Sequence, residues 1–460
     1  MKTFDKIKTF ESLPLNPELL KAIQEVGYLN PTPIQSSAIP SILEGKDIAA
    51  KAQTGSGKTA AFGLPSLNLI SKSPDAQILI LTPTRELALQ VCEEMKKFSK
   101  YLNVAPVAIY GGEPMGKQLK QLKKDNRIIV GTPGRLLDLF RSNHLNDFSP
   151  SIVVLDEGDE MLNMGFFEDI QSIFSFLPQK RQTLLFSATL SSRIQKISKK
   201  FLKDPLVIDL STKEKEHKDI HQIYYLIPNR KRKHALIHTL QYHLPQKAVI
   251  FCNTKKEVEE LSSDLITLGF PIVSLQGDMS QKERQNSIDK FRTSSDKILV
   301  ATDVAARGID VSDVSYVFNY DLPYSSDSFT HRVGRTGRMG NKGTAITLIA
   351  LNQKYLVKKI LLKRDSEINF TSLPTKSELR SVLEKRFADQ LKQEPIHEDT
   401  EKLLLALKKE HSLEDIAKCL ISKHLQKQSY FEFDESMLDS SSNKRKRSPR
   451  NRKKAFFRKR

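Results

Sequence analysis

The strand, loop and helix around residues 47–59 constrain the fold of this chain more than any other stretch. The short apolar run 47–50 has the pattern of a buried strand, and an Ala- and Leu-rich helical segment follows the loop 52–59. This order surrounds an anion with backbone N–H groups and a helix N-terminus. Ala52 replaces the first glycine of the usual pattern, and a simple glycine turn is the alternative interpretation. The loop predicts a nucleoside triphosphate site with these contacts: Thr54, Gly55, Ser56, Gly57, Lys58 and Thr59.

Two acidic residues supply the remaining chemistry that such a loop needs. Asp156 and Glu157 directly follow the apolar strand 152–155. We expect Asp156 to hold Mg²⁺ together with the Thr59 hydroxyl, and Glu157 to orient the attacking water, while Lys58 balances phosphate charge. An acidic helix start, favoured by the helix dipole, is the alternative. The occurrence of Lys58 in the same part of the chain favours catalysis.

Strand-like and helical segments alternate along most of the chain, which predicts parallel sheets covered by helices on both faces. Residues 78–86 and 128–132 resemble 248–256 and 298–302, so a diverged duplication and a chance match of βα patterns are both open. Only the first copy contains a Lys-Thr loop, so we expect one nucleotide site. The predicted organisation is lobe 1 at 1–210, a linker at 211–220, lobe 2 at 221–365, a helical segment at 366–430 and a disordered basic tail at 431–460.

The charge of the chain predicts a polyanionic partner. The 460 residues carry a net charge of +19, of which eleven Lys and Arg lie in 444–460, leaving +8 for the rest. No apolar run approaches the length of a membrane span and no signal sequence opens the chain, so a cytoplasmic location is expected. Cys92, Cys252 and Cys419 are far apart and lack the spacing of metal ligands. Their neighbours are apolar, which favours packing in the core and a reducing compartment.

An arginine-rich run in the second lobe offers positive charge for phosphate hydrolysis. Arg332, Arg335 and Arg338 recur at a spacing of three after His331. A solvated basic turn and an RNA contact are alternatives. An arginine that reaches from one lobe to a γ-phosphate held by the other contributes roughly 10³–10⁵ in rate. With that role, catalysis depends on closure of the two lobes.

The motifs of residues 1–365, in their order and spacing, resemble those of the DEAD-box RNA helicases of superfamily 2. The bacterial cold-shock group is the most similar. The resemblance implies two tandem RecA-like lobes and an RNA-stimulated ATPase that uses ATP and Mg²⁺ and separates short RNA duplexes locally. It rests on these segments: Phe10 with 27–35, then 55–59, 83–88, 111–112, 132–135, 156–159, 187–189, 281–284, 301–310 and 331–338.

The resemblance also implies roles for individual residues. Phe10 would stack on adenine, Gln35 would bind the edge of the base, and Asp310 would lie near the ribose. Arg335 and Arg338 would act on the γ-phosphate, and together with Lys58, Asp156 and Glu157 they form the implied catalytic set. Coupling of hydrolysis to strand separation would use Asp159, Ser187, Thr189 and His331. The RNA backbone would be bound by Pro83, Thr84, Arg85, Gly112, Thr132, Gly134 and Arg135 in lobe 1, and by Gln281, Arg284 and Thr302 in lobe 2.

The motif that names the family departs from its pattern at one position. Gly158 stands where the family has alanine, between Glu157 and Asp159. Both catalytic carboxylates remain, so we expect hydrolysis to survive, with weaker coupling to RNA because glycine loosens the backbone.

The region after lobe 2 is the least constrained by the sequence. Apolar residues recur on one helical face in 379–391 and in 413–425, and Ser412 with Asp415 predicts a helix cap. The segment resembles the dimerisation segment of bacterial cold-shock helicases; packing on lobe 2 is the alternative. The basic tail is expected to tether RNA without sequence preference, and a merely solvated charge run is the other interpretation.

Three functions are compatible with these motifs. The first is an ATP-dependent RNA helicase that also remodels RNA–protein complexes in ribosome assembly or in cold or stress adaptation. The second is an ATP-gated RNA clamp that unwinds little. The third is an unrelated P-loop ATPase or DNA helicase, which the Gln35 motif and the set of RNA motifs disfavour.

Overall fold

The structure is a computed structural model, and it describes residues 9–52, 55–72, 75–125, 127–210, 220–228, 230–306, 314–337, 341–361, 368–393 and 397–427. The predicted basic tail, most of the predicted linker, and the candidate site residues Thr54, Asp310 and Arg338 lie outside these ranges. Within these ranges, no helix has the length and apolarity to cross a bilayer.

Lobe 1 is built on a parallel sheet of seven strands, as the uninterrupted apolar runs predict. The strands occur in the order β3-β4-β2-β5-β6-β1-β7, so β3 and β7 are the edges. Their bounds are β1 Ile48–Lys51, β2 Ile78–Leu81, β3 Pro106–Ile109, β4 Ile128–Gly131, β5 Ile152–Leu155, β6 Gln182–Ser187 and β7 Leu206–Asp209.

Helices cover both faces of this sheet and bury one apolar cluster on each face. A 3₁₀ turn at Phe10–Ser12 precedes them. The helices are α1 Pro17–Glu25, α2 Pro33–Leu43, α3 Lys58–Lys72, α4 Arg85–Phe98, α5 Met115–Leu122, α6 Pro133–Arg141, α7 Gly158–Asn163, α8 Phe167–Phe176 and α9 Ser192–Phe201.

Lobe 2 repeats the topology of lobe 1. Its seven parallel strands occur in the order β10-β11-β9-β12-β13-β8-β14, which matches lobe 1 strand for strand. The strands are β8 Ile220–Ile227, β9 Ala248–Cys252, β10 Ile272–Leu275, β11 Ile298–Thr302, β12 Tyr316–Asn319, β13 Gly343–Ala350 and β14 Phe370–Thr371. The helices are α10 Arg232–His243, α11 Lys255–Thr267, α12 Gln281–Thr293, α13 Asp303–Ala306, α14 Ser326–Val333 and α15 Lys354–Leu361, with a 3₁₀ turn at Leu351–Gln353.

Two predicted boundaries of lobe 2 need correction. Ile220 was expected in the linker, but it begins β8 and pairs with Gly343 of β13. Lobe 2 was expected to end at 365, but Phe370 and Thr371 pair with Tyr224 and Tyr225 on the outer side of β8. A two-residue strand is too short to give a periodic signal in the sequence, so the edge of the sheet could not be read from it.

Three helices follow lobe 2: α16 Lys376–Gln393, α17 Thr400–Leu407 and α18 Leu413–Lys427. The start of α16 is fixed to lobe 2, because Leu379 is buried and the His238 Nε2 of α10 lies 2.6 Å from the Pro374 carbonyl oxygen. The predicted cap of α18 is present, with the Asp415 N–H donating to the Ser412 hydroxyl at 3.1 Å.

Apolar side chains of α17 and α18 are exposed; Leu403 and Leu420 each retain 62% of their accessible surface. Cys419 of α18 is exposed as well, which corrects the expectation that all three cysteines pack in the core. Cys92 and Cys252 are buried.

The glycine that departs from the family motif fills a packing role. Gly158 begins α7, and a Cβ atom built on it would lie 2.7 Å from Leu185 Cδ1 of β6 and 3.4 Å from Ile194 Cδ1 of α9. Leu185 is fully buried. The space of the missing methyl group is therefore occupied by the Leu185 side chain.

We predict that Gly158→Ala lowers the thermal unfolding midpoint of the chain. Overpacking against Leu185 costs about 1–3 kcal/mol, which exceeds the roughly 0.5–1 kcal/mol that alanine contributes to helix stability over glycine. Leu185→Val makes room, so the double variant should lose less than the two single variants together. Differential scanning calorimetry of the parent, the two single variants and the double variant measures the interaction between the two positions.

Gly134→Ala is the matched control, because Gly134 also lies in the first turn of a helix and a Cβ there meets nothing within 4 Å. An equal rise of the midpoint in both alanine variants would contradict the packing role of Gly158. The parent should also retain RNA-stimulated ATP hydrolysis; an inactive parent that alanine restores would overturn our expectation for this position.

Candidate functional site

The predicted phosphate-binding loop lies between β1 and α3, and the structure describes it from Gly55 onward. Gly55 and Gly57 have φ values of +85° and +89°, which only glycine adopts without strain. A side chain at position 57 is also excluded by packing, because a Cβ atom there would clash with Gln35 Nε2. Lys58 and Thr59 open α3 beside the half-buried Ser56. The loop therefore has the backbone geometry of an anion cradle.

Gln35 connects the loop to the helix that precedes it. Its Oε1 accepts from the Thr32 N–H at 2.9 Å, and its Nε2 donates to the Gly57 carbonyl at 3.1 Å. Phe10 is 2% exposed and packs against Tyr28, with ring centroids 6.3 Å apart. Base stacking by Phe10 and base recognition by Gln35 stay predictions, and both residues have a structural role in lobe 1.

The two predicted catalytic carboxylates follow β5 at the centre of the sheet. Asp156 is buried, and one of its oxygens lies 4.0 Å from Lys58 Nζ. Burial raises the pKa of Asp156 to about 6, against the opposing charge of Lys58. A buried carboxylate of this kind favours a cation as its neighbour.

The backbone of Glu157 is held in an unusual conformation. Its φ and ψ are both 51°, in the left-handed region, and its N–H donates to Asp156 Oδ1 at 2.9 Å. For a residue other than glycine this geometry costs about 1–3 kcal/mol and is typical of functional sites. It turns the chain sharply between β5 and α7, so that Glu157 lines the cavity between the lobes.

That cavity brings together acidic groups of lobe 1 and basic groups of lobe 2. Three basic residues of lobe 2 face three acidic residues of lobe 1 across it, and Asp303 and Ser328 also line it. The basic residues are His331, Arg332 and Arg335, and the acidic ones are Glu157, Asp159 and Glu160.

The four residues predicted to couple hydrolysis to strand separation are in contact with one another. Asp159 Oδ2 accepts from the Thr189 N–H at 2.9 Å, and the Asp159 N–H donates to the Ser187 hydroxyl at 3.3 Å. His331 reaches across from lobe 2, with its Nε2 3.6 Å from Asp159 Oδ2 and its Nδ1 hydrogen-bonded to Glu160.

The two described arginines of the predicted run, Arg332 and Arg335, have different surroundings. Arg332 is 1% exposed and is used inside lobe 2, where it donates to both oxygens of Asp303, to Asn253 Oδ1 and to the Asp321 carbonyl. Arg335 lines the cavity opposite Glu157. Both described arginines line the cavity, but Arg332 is also held by partners inside lobe 2, and the γ-phosphate role of Arg335 stays a prediction.

The lobe 1 residues predicted to bind RNA collect at the ends of three neighbouring strands. Pro83, Thr84 and Arg85 follow β2, Gly112 follows β3, and Thr132, Gly134 and Arg135 follow β4. These strands form one half of the sheet, whereas β1, β5 and β6 carry the phosphate loop, the carboxylates and the coupling residues. The two halves therefore separate the candidate RNA and nucleotide surfaces.

Several of these side chains already have partners within the protein. The Thr84 hydroxyl caps α4 by accepting from the Leu87 N–H at 3.3 Å. Arg85 lies over the Tyr110 ring at 4.3 Å. Arg135 Nη1 donates to the Glu113 carbonyl at 3.0 Å and to Gln118 Oε1 at 3.2 Å.

The lobe 2 residues predicted to bind RNA are also held by internal contacts. The Thr302 hydroxyl accepts from the Ala305 N–H at 3.3 Å at the start of α13. Arg284 Nη2 donates to the Ala305 carbonyl at 2.9 Å, and Arg284 Nε lies 2.7 Å from Glu86 Oε1 of lobe 1. Gln281 begins α12, and its side chain lies outside the part of the chain that the structure describes.

Comparison with known proteins follows the same division into two lobes. A DEAD/DEAH box helicase family model matches residues 32–197, and a helicase conserved C-terminal domain model matches 231–340. The DEAD-box ATP-dependent RNA helicase RhpA of Helicobacter pylori is 43% identical over 371 residues, or 80% of this chain and 75% of RhpA. CshA of Bacillus subtilis, also a DEAD-box ATP-dependent RNA helicase, is 43% identical over 353 residues, or 76% of this chain and 72% of CshA.

This chain belongs to the DEAD-box ATP-dependent RNA helicases.

Solved structures agree with this assignment. Dbp5 of S. cerevisiae bound to RNA and ADP BeF3 is similar with a TM-score of 0.72 at 33% identity, covering 82% of the helicase described here and 99% of the Dbp5 chain. Mss116p bound to ssRNA and AMP-PNP is similar with a TM-score of 0.73 at 29% identity, covering 83% of each chain. The predicted fold of two RecA-like lobes is confirmed.

Sequence reasoning missed two contacts of the helicase that join its lobes. Glu160 was not selected, although it shares the first turn of α7 with Asp159. Glu86 was not selected either, although it lies in the predicted RNA motif beside Arg85. In both cases the partner is more than 170 residues away in the chain. Only the three-dimensional arrangement of the lobes identifies such pairs.

We predict that Glu86→Gln weakens RNA binding by about tenfold when a non-hydrolysable ATP analogue is present. Glu86 and Arg284 are each only 13% exposed, so loss of the carboxylate leaves a poorly solvated guanidinium at the seam. If Arg284 served only to bind RNA phosphates, removal of the neighbouring negative charge would leave affinity unchanged or raise it. Fluorescence anisotropy with labelled RNA measures the affinity and distinguishes a loss from an unchanged or higher value.

Glu93→Gln is the matched control for that measurement, since Glu93 lies on the same helix and is exposed. Arg284→Gln should cost less in the Glu86→Gln background than in the parent, because the pair is already broken. Fully additive losses would contradict the interlobe role of the pair.

We also predict that closure of the helicase weakens as pH rises. Burial opposes the cationic form of His331, but the hydrogen bond to Glu160 and the charges of Glu160, Asp159 and Glu157 outweigh it and raise its pKa. The closed state therefore holds a proton that an open, solvated histidine releases near pH 6.5. The contribution of His331 is complete below about pH 6.5 and is lost as pH rises through the raised pKa.

The measurement is RNA affinity with a non-hydrolysable ATP analogue between about pH 6 and pH 9. The parent should lose affinity with rising pH, by at most about tenfold per unit, and His331→Gln should remove this dependence. RNA affinity without nucleotide serves as the control for effects outside the seam. Burial lowers the pKa of His234 and lowers that of His243 to about 4, so both lose their charge at a lower pH than an ordinary histidine. An unchanged pH profile in His331→Gln would refute the assignment.

Proposed function

We propose that this helicase separates short RNA duplexes locally and remodels RNA–protein complexes by closing and reopening its two lobes. The observation that carries this proposal is the cavity between the lobes, which is lined by Glu157, Asp159 and Glu160 of lobe 1 and by His331 and Arg335 of lobe 2. ATP bound at the loop of lobe 1 attracts Arg335, so nucleotide and RNA together favour the closed state. Hydrolysis and release of phosphate then remove the attraction and reopen the seam.

We infer that the ATP is bound together with Mg²⁺. The Asp156 carboxylate and the Thr59 hydroxyl are hard oxygen ligands, and phosphate oxygens and water complete the coordination that Mg²⁺ favours. The Asp156–Lys58 pair is loose, at 4.0 Å, which leaves the carboxylate available to a second cation. Bound Mg²⁺ supplies charge neutralisation at the phosphates, while Glu157 holds the attacking water.

We further propose that RNA is held through its phosphates and sugars at the ends of β2, β3 and β4 and by the facing edge of lobe 2. Backbone N–H groups and Thr and Arg side chains at these ends do not read base edges. Binding should therefore be largely independent of sequence and sensitive to salt. The basic tail would add a nonspecific tether.

The cellular role is the least constrained part of this proposal. Ribosome assembly and cold or stress adaptation follow from the motif resemblance to the bacterial cold-shock group, and a cytoplasmic location stays a prediction. Homodimerisation through 366–430 also stays a prediction. The exposed leucines of α17 and α18 support it, and the attachment of α16 to lobe 2 supports the alternative.

An ATP-gated clamp that unwinds little is the competing function, and Glu157→Gln distinguishes the two. This substitution keeps the side-chain volume and the backbone conformation at 157 but removes the group that activates water, so hydrolysis should fall by about 10²–10⁴-fold. If closure itself parts the strands, the variant should release about one short RNA duplex per protein with ATP and then stop. The parent should release many.

Lys58→Ala provides the control for nucleotide binding and should release none. A clamp would show nucleotide-dependent RNA binding but no burst of strand release in either protein. Parallel assays with DNA duplexes test the third candidate function. ATP hydrolysis by the parent at equal rates with and without RNA would refute the proposal altogether.

A further inference from the structure

Helix α5 lies where an RNA strand would leave the lobe 1 surface. The candidate RNA segments follow β2, β4 and β3, which are neighbours in this order and lead to the edge of the sheet at β3. Strands are spaced about 4.8 Å apart, so these segments form a row about 10 Å long. Gly111 and Gly112 end the row, and α5 begins three residues later at Met115.

The inner face of α5 is fixed to the lobe. Gln118 is buried, and its Nε2 donates to the Tyr110 carbonyl at 2.9 Å. Leu122 is buried in the apolar cluster beneath the helix. Arg135 of α6 donates to both the Glu113 carbonyl and Gln118 Oε1, which ties the start of α5 to another candidate RNA segment. The helix is therefore held in one orientation relative to the row.

The outer face of α5 is a line of exposed lysines. Lys117, Lys120 and Lys124 are spaced i, i+3 and i+7, which places them on the side opposite Gln118 and Leu122. We call these three residues the α5 lysine face. The line is about 10 Å long at 1.5 Å per residue. Lys123 is exposed beside it, and α5 itself contains no acidic residue.

The acidic residues at the two ends of α5 have other partners. Glu113 accepts from the Tyr110 hydroxyl at 2.7 Å and pairs with Lys117 at 2.6 Å. Asp125 accepts from the Ala105 N–H at 2.9 Å and the Arg127 N–H at 3.0 Å. Lys120 and Lys124 thus keep their charge toward solvent.

We propose that the α5 lysine face binds phosphates of the RNA strand after it has crossed the ends of β2, β4 and β3. This inference rests on the proposed path of RNA over lobe 1. The bound group is the sugar–phosphate backbone of an RNA extension beyond the cleft, so the face increases affinity for long RNA and not for RNA that ends within the cleft.

Exposed lysines on a helix usually form only a solvated face. Helix α9 has the same lysine spacing as α5, so spacing alone does not indicate RNA binding. Lys196, Lys199 and Lys203 are exposed with the same i, i+3, i+7 spacing, and the third again lies two residues past the end of its helix. However, α9 connects β6 to β7 in the nucleotide half of the sheet, far from the row that leads to β3. The position of α5, not its spacing, distinguishes it.

The experiment compares two triple variants of the full chain, each of which removes three positive charges. One carries Lys117→Gln, Lys120→Gln and Lys124→Gln on α5, and the other carries Lys196→Gln, Lys199→Gln and Lys203→Gln near α9. RNA binding is measured with a non-hydrolysable ATP analogue over a salt series. The probes are a single strand of about six nucleotides and the same strand extended by about ten nucleotides at its 5′ or its 3′ end.

We expect the α5 variant to bind the RNA extended at one of its ends about five- to tenfold more weakly than the parent does. Its salt slope should fall by about 1.4, since each phosphate contact on a single strand contributes about 0.7 and Lys117 is already paired with Glu113. Affinity for the short strand and for the strand extended at the other end should not change. The α9 variant should match the parent throughout.

Equal losses in both variants would overturn the inference, because they indicate a general effect of net charge. An equal loss on the short strand would do the same, as would an unchanged affinity for all three RNAs. Thermal midpoints confirm that the variants are folded. RNA-stimulated ATPase of the parent with the short strand tests the proposed function separately; its absence would remove the basis of both proposals.

Discussion

Charged side chains, not an apolar interface, join the two lobes, and His331 is the residue on which that seam depends. Each of the four apolar clusters of the described structure belongs to a single lobe. Across the seam, His331 meets Asp159 and Glu160, and Arg284 meets Glu86. Water solvates these groups well when they separate, whereas two apolar faces would resist separation. A seam of this kind is suited to repeated opening and closing.

The position of His331 is coupled to the nucleotide site through a few rigid backbone contacts. Asp159 is hydrogen-bonded to the Thr189 N–H and to the Ser187 hydroxyl. Its position therefore depends on how the ends of β5 and β6 are placed relative to each other. Glu157 lies two residues earlier, and its left-handed backbone connects β5 to the helix that carries Asp159. Glu157 and Asp159 both line the cavity, so a shift of the turn would move both carboxylates.

The sequence was sufficient to identify features that are determined by a few consecutive residues, such as strands and motif loops. Apolar runs identified the central strands of both sheets, and the motif residues follow strand ends because a parallel sheet places its loops on one edge. Contacts between distant segments were not accessible in the same way. Arg332 and Arg335 have the same spacing and residue type, yet Arg332 binds Asp303 inside lobe 2 while Arg335 faces Glu157. Both side chains are buried, so they differ in the partners that the fold places beside them.

The glycine at the centre of the family motif illustrates how packing and chemistry divide within one turn. Asp156, Glu157 and Asp159 provide the carboxylates that we propose act in hydrolysis and closure, and Asp156 and Asp159 also accept backbone hydrogen bonds. Gly158 faces the opposite way, toward Leu185 and Ile194, where a methyl group would meet a leucine side chain at 2.7 Å. Glu157, Asp159 and Glu160 line the cavity, whereas Gly158 lies against the apolar side chains of β6 and α9. The contacts of Gly158 therefore concern how α7 packs against β6, and a weaker coupling of hydrolysis to RNA stays a prediction.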